Sequence, residues 1–127
     1  MSNDDLLELW NLPGEIQYLQ NEIRRLSGWR VSEDAKPYVA ELLDILDQRL
    51  NRCQADYSRC MNFIASLPDE WIRMVFNFRY VQRLSWPEVG VEMRLSGDCC
   101  RQMIHRYLKR YGADTPPLKT LNRETTK

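Results

Sequence analysis

Nine residues, Val39, Leu43, Leu46, Leu50, Cys53, Tyr57, Cys60, Ile64 and Leu67, follow one another in alternating steps of four and three without a fault. Only an α-helix returns side chains spaced in this way to one face, so the stripe fixes the backbone over four heptads. Asp34 stands where a cap is needed, Pro37 falls within a first turn, and Ser66-Leu67-Pro68-Asp69 reads as a stop followed by a fresh cap. The spacing predicts one helix from about Ala35 to Ala65, about 45 Å long.

A second stripe precedes it: Leu9, Leu12, Ile16, Leu19, Ile23 and Leu26, interrupted at Pro13. Proline is best accepted in a first turn, which divides this stretch into a short helix over Asp4 to Trp10 and another from Pro13 to a stop at Ser27-Gly28. The second is only about 22 Å long and cannot cover the whole partner stripe. The uncovered length must rest on the amino-terminal helix, on the carboxy-terminal residues or on a second copy. A helical hairpin that forms a homodimer is the expectation.

Charge separates the chain into unlike halves. Its 18 basic and 18 acidic residues cancel, yet residues 1–67 hold 7 bases against 11 acids, and residues 68–127 hold 11 against 7. From Arg94 to Tyr111 the bases Arg94, Arg101, Arg106, Lys109 and Arg110 face a single acid, Asp98. A basic face one helix long meets phosphate even on a neutral protein. No apolar run is long enough for a membrane span, and none of the sequence alternates as a strand does, so the fold class is all-α. The start, MSNDDLLELW, is acidic and lacks the pattern of a secretory signal. A cytoplasmic protein with reduced thiols and no membrane partner is expected.

Leu67 to Tyr111 divides into three helical pieces by its own punctuation. Ile72, Val75, Phe76, Arg79, Tyr80 and Leu84 mark a first; Ser85-Trp86-Pro87-Glu88 is a capping box that starts a second; Ser96 caps a third, with Asp98 in its first turn. Two helices so closely joined make a helix-turn-helix. Gly90 is small where they approach, Val89 and Met93 face inward, Leu95 fills the turn, and Cys100, Met103 and Tyr107 form the inner stripe of the last helix. Its outer face carries Asp98, Arg101, Gln102, His105 and Lys109. Arg and Gln bond guanine and adenine edges in the major groove, while Arg94, Arg106 and Arg110 are placed for phosphates. With Ser96 at the helix entry, these nine residues are the expected DNA-binding set.

A leading Leu67-Pro68, the Arg79-Tyr80 pair, the Leu84-Ser85-Trp86 entry, and Ser96 followed by Cys100-Arg101-Gln102-Met103 resemble region 4 of bacterial sigma factors. With a heptad-rich region in front, the layout is similar to that of small phage regulators of the RinA and ArpU kind. The likeness implies a sequence-specific, double-stranded-DNA-binding transcriptional regulator of phage or prophage origin, with RNA polymerase as a further partner. It places Asp98, Arg101 and Gln102 at positions that meet DNA. Gly97 and Cys99 stand where sigma factors usually carry charged residues, so the binding mode carries over and the base sequence read does not.

Four cysteines lack metal-ligand spacing, and His105 is the only histidine, so no metal, cofactor or His-based catalytic set is expected. Trp10, Trp29, Trp71 and Trp86 are scattered and read as packing residues. Three units result: a hairpin over 1–66, a DNA-binding unit over 67–111 and a flexible tail over 112–127. Two other readings share this architecture: a small-terminase-like packaging subunit, and a helical adaptor that holds RNA polymerase without touching DNA.

Overall fold

The computed structural model describes residues 1–114, which contain helices and no strand. The long helix, α3, runs Lys36–Ser66 as one uninterrupted rod. Before it come α1 (Asn3–Leu7), a 3₁₀ turn over Glu8–Trp10 and α2 (Leu12–Ser27), which carries Pro13 in its first turn. Asp34 does not cap α3: the residue before the helix is Ala35, and the Ser32 carbonyl accepts from the N–H groups of Ala35 and Lys36 at 3.0 and 3.2 Å. A tight backbone turn thus provides what the carboxylate was expected to provide.

α2 and α3 form the hairpin. Leu12, Leu19 and Leu26 are buried against Leu46 and Cys53, with Ile16, Ile23, Leu43 and Leu50 closing the edges. An ion pair, Arg49 Nη2 to Glu15 Oε1 at 2.6 Å, ties one flank of α2 to the matching flank of α3.

The far half of the α3 stripe is covered within the chain, so it does not call for a second copy. Cys60 and Ile64, with Phe63 beside them, enter a second core shared with Leu67, Ile72, Val75, Phe76 and Tyr80. The first ten residues join that core and not the hairpin: Met1, Leu6 and Leu9 are buried in it. Each such leucine contributes about 1.5–3 kcal/mol by leaving water. Local bonds hold the segment in shape. Ser2 and Asp5 form a capping box, with the Ser2 N–H donating to Asp5 Oδ2 at 2.8 Å and the Asp5 N–H to Ser2 Oγ at 3.2 Å. The Met1 amine lies 4.0 Å from the Asp5 carboxylate and donates to the Gly112 carbonyl at 2.9 Å. Gly112 is buried in the short 3₁₀ turn Gly112–Asp114; the rest of the expected tail lies outside the described residues.

α4 (Glu70–Phe76) begins at the Asp69 cap, whose carboxylate accepts from the Trp71 N–H at 2.9 Å. It does not continue as an α-helix. Asn77–Val81 widens into a π-helical turn that ends at Gln82, whose N–H reaches the Asn77 carbonyl at 3.0 Å. Inserted turns of this kind release carbonyls for other partners. Here the Arg79 carbonyl accepts from the Trp10 indole at 3.1 Å. Two tryptophans depart from the packing role: Trp29 and Trp71 are about half exposed, at 52% and 47%.

Candidate nucleic-acid interface

α5 (Trp86–Met93) and α6 (Gly97–Tyr111) meet through a three-residue turn. The Ser85–Glu88 capping box forms as read: the Ser85 N–H donates to Glu88 Oε1 at 3.0 Å, and the Glu88 N–H to Ser85 Oγ at 3.3 Å. Those bonds hold the exposed Glu88 carboxyl below its ordinary range. Arg94 ends α5 in the left-handed region, φ 57° and ψ 41°, where its N–H turns back to the carbonyls of Gly90 and Val91. Ser96 then starts α6, with Oγ accepting from the Cys99 N–H at 3.0 Å.

Two glycines, not Leu95, close the turn. A Cβ on Gly90 would lie 2.6 Å from the Leu95 carbonyl oxygen and 2.8 Å from the Gly97 nitrogen, and one on Gly97 would lie 2.7 Å from the Trp86 carbonyl oxygen. Backbones this close leave no pocket for a leucine side chain, and Leu95 is exposed. The close approach also accounts for a glycine at position 97. Val89, Met93 and Cys100 are buried as expected, but the deepest residue midway along α6 is Ile104. Met103 and Tyr107 are half-buried beside it.

All nine expected DNA-binding residues, Arg94, Ser96, Asp98, Arg101, Gln102, His105, Arg106, Lys109 and Arg110, are exposed. Asp98 is their organiser. Its Oδ1 accepts from Arg101 Nη2 and Nε at 2.7 and 3.2 Å, and its Oδ2 from Gln102 Nε2 at 3.0 Å. One first-turn carboxylate therefore holds both polar side chains that are fit for bidentate base contacts. Arg94, Arg106, Lys109 and Arg110 make no ion pair among the described residues. Arg110 instead lies over the Tyr111 ring, 5.3 Å from its centroid.

Arg79 is a functional candidate that the sequence reading placed on an apolar face. Its guanidinium sits against Trp10 and Trp86, 4.8 and 4.4 Å from the ring centroids, and Nη1 donates to the Leu84 carbonyl at 2.9 Å. Beside it lies a cleft of about 180 Å³ bordered by Asn3, Trp86, Arg101 and His105. A cation at a face otherwise occupied by core residues was the available signal.

No cysteine forms a disulfide among the described residues; Cys53, Cys60 and Cys100 are buried. Burial, with the Asp5 and Asp56 carboxylates adding to it, pushes the Cys60 thiol up to about 12. Among the described residues no group of His, Cys, Asp or Glu is placed to hold a metal ion, and no helix is long and apolar enough to cross a membrane. No protein-family model, curated protein or solved structure matches this chain.

Proposed function

We infer that the protein is a sequence-specific DNA-binding regulator of transcription, working from a phage or prophage genome as the sigma-region-4 likeness implies. One observation carries this reading. Two capped helices joined by a three-residue turn bury their inner stripe in a core, and the second leaves a cationic row, Arg101 to Arg110, facing solvent. Arg94, Arg106, Lys109 and Arg110 neutralise phosphates and supply salt-dependent affinity. Arg101 and Gln102, aligned by Asp98, read base edges.

The reading includes a homodimer, through a face other than the heptad stripe. α3 carries a second row one residue out of step, Tyr38, Leu42 and Ile45, which continues to Arg49; these three apolar side chains are 74%, 43% and 49% exposed. The Glu15–Arg49 bridge marks the flank of α2 that adjoins them, and Tyr18, 56% exposed, lies one turn beyond Glu15. A contiguous exposed apolar row on a helix supports a contact surface. Glu15 and Arg49, at the end of this row, are paired within the chain.

Selection of bound sites from a random duplex pool tests the DNA reading. Replacing Arg101 or Gln102 with Ala should cost about 1–3 kcal/mol on the selected site and relax base choice, whereas Arg106→Ala should weaken all duplexes alike. Equal binding of selected and random duplexes by the parent and all three variants would exclude the proposed face.

A further inference from the structure

Arg79 is a cation without an anion. Burial lowers its pKa, no carboxylate among the described residues pairs with it, and its Nε is buried with no acceptor. The two tryptophan rings stabilise the guanidinium by cation–π attraction but do not neutralise it. An unneutralised, partly desolvated charge attracts an anion more strongly than one in open water.

The neighbouring cleft is lined to receive one. Asn3 Oδ1 accepts from the Tyr80 hydroxyl at 2.6 Å, which turns the oxygen toward Tyr80 and leaves the side-chain N–H groups to donate. Arg79, Arg101 and the Trp86 indole are donors without acceptor capacity, and His105 can donate from its ring. The one acid of this helix, Asp98, is engaged with Arg101 and Gln102. A space of about 180 Å³ is several water molecules in size, enough for a tetrahedral oxyanion.

We propose that the cleft between α1, Trp86 and α6 is a phosphate site, formed by Asn3, Arg79 and His105, with the Asp98-paired Arg101 at its border. The phosphate is a backbone phosphodiester of the bound duplex; that source rests on the DNA-binding reading above, while the site itself does not. The amino-terminal segment then takes part in gripping DNA, which no property of the helix-turn-helix alone requires.

Asn3→Asp is the decisive variant. It keeps an acceptor for the Tyr80 hydroxyl and puts an acid in the first turn of α1, where the helix dipole favours one, but it turns a donor in the cleft into a negative charge. His105→Ala, an exposed position, is the second variant. Inorganic phosphate is titrated into the full chain while the Trp86 indole and Asn3 amide resonances are followed by NMR. Saturable shifts are expected in the parent, with affinity about tenfold or more lower in Asn3→Asp and lower in His105→Ala. A short duplex titrated in rising salt should show the log–log slope of Asn3→Asp reduced by about one, with base preference unchanged. Unmoved resonances, or an Asn3→Asp chain that binds phosphate like the parent, overturn the proposal. Phosphate binding without any duplex binding upholds the site and removes DNA as the source. Duplex binding with identical affinity and slope in Asn3→Asp does the reverse, leaving the DNA reading and removing the cleft from it.

Discussion

Replacing Gly90 with Ala tests the joint at which α5 and α6 meet. In an open helix the change is favourable, because Gly is about 1 kcal/mol worse than Ala in a helix interior. Here the added Cβ would meet the Leu95 carbonyl oxygen at 2.6 Å, the Gly97 nitrogen at 2.8 Å and the Ser96 carbonyl carbon at 3.1 Å. All three are backbone atoms of the turn, so no side chain can swing aside. Relief requires α6 to move away from α5, which loosens the contacts of Val89 and Cys100 in the core. Overpacking of this kind costs about 1–3 kcal/mol, and with backbone on both sides the upper part of that range applies. Net of the propensity gain, Gly90→Ala should lower stability by about 1–2 kcal/mol, and the thermal midpoint by about 5 °C for a chain of this length. Gly14→Ala supplies the opposite sign: nothing lies within 4 Å of its Cβ, so a gain of about 0.5 kcal/mol is expected. Urea and thermal melts of the three proteins, followed by circular dichroism, measure both. A Gly90→Ala protein as stable as Gly14→Ala would mean that the two helices do not meet at this glycine.

The raised Cys60 pKa gives a test in alkali. A folded thiol near 12 against an ordinary value of 9.0 means that the folded state holds its proton where the unfolded state has lost it. Stability is therefore full below pH 9 and falls as pH rises from 9 toward 12; Cys60→Ala, though less stable overall, should lose less over that interval. Urea unfolding from pH 8 to 11 compares them, and parallel curves would refute the assignment. For the dimer, Ile45→Glu should convert a micromolar dimer to monomer in sedimentation equilibrium without loss of helicity. A parent chain that remains monomeric at those concentrations removes the dimer from the proposed function.

What could be read in the sequence was local. Stripes gave the rods: α3 spans Lys36–Ser66 against an expected Ala35 to Ala65. Side chains that bond their own neighbours, such as Ser85 with Glu88 and Ser96 with Cys99, gave the helix starts. What a stripe does not state is its partner. Cys60 and Ile64 look like the continuation of a seam, yet they are covered by a segment 55 and more residues earlier, as the Cys60 Sγ contact to the Asp5 carbonyl shows. Nor does a stripe reveal a second one beside it: Leu42 and Ile45 adjoin Leu43 and Leu46 in sequence but fall on the exposed flank. On α6, steps of three or four from Cys100 are both helical, and only packing selects Ile104 over Met103 as the buried residue. The nine residues proposed for DNA were legible because exposure and charge coincide on one helix. Asn3 was not, and Arg79 showed only as a cation on an apolar face, because the cleft they border joins residues more than seventy positions apart.

Size explains why the amino terminus folds where it does. A unit of about 45 residues buries a small share of its surface and is marginal alone. This one adds Leu6 and Leu9 from the chain start and Phe63 and Ile64 from the end of α3. Because α3 is continuous, the same rod that completes the second core carries the proposed dimer row at its other end. From Leu42 to Asn62 the rise is about 30 Å. A two-fold axis perpendicular to α3 at that row would set the two α6 helices on the order of 60 Å apart, near two turns of B-form DNA, whereas an axis along α3 would bring them side by side, within one turn. Half-site spacing in selected duplexes therefore reports the symmetry of the dimer. A spacing that varied freely would show the opposite of what a rigid α3 requires, namely that the carboxy-terminal helices swing on the hairpin.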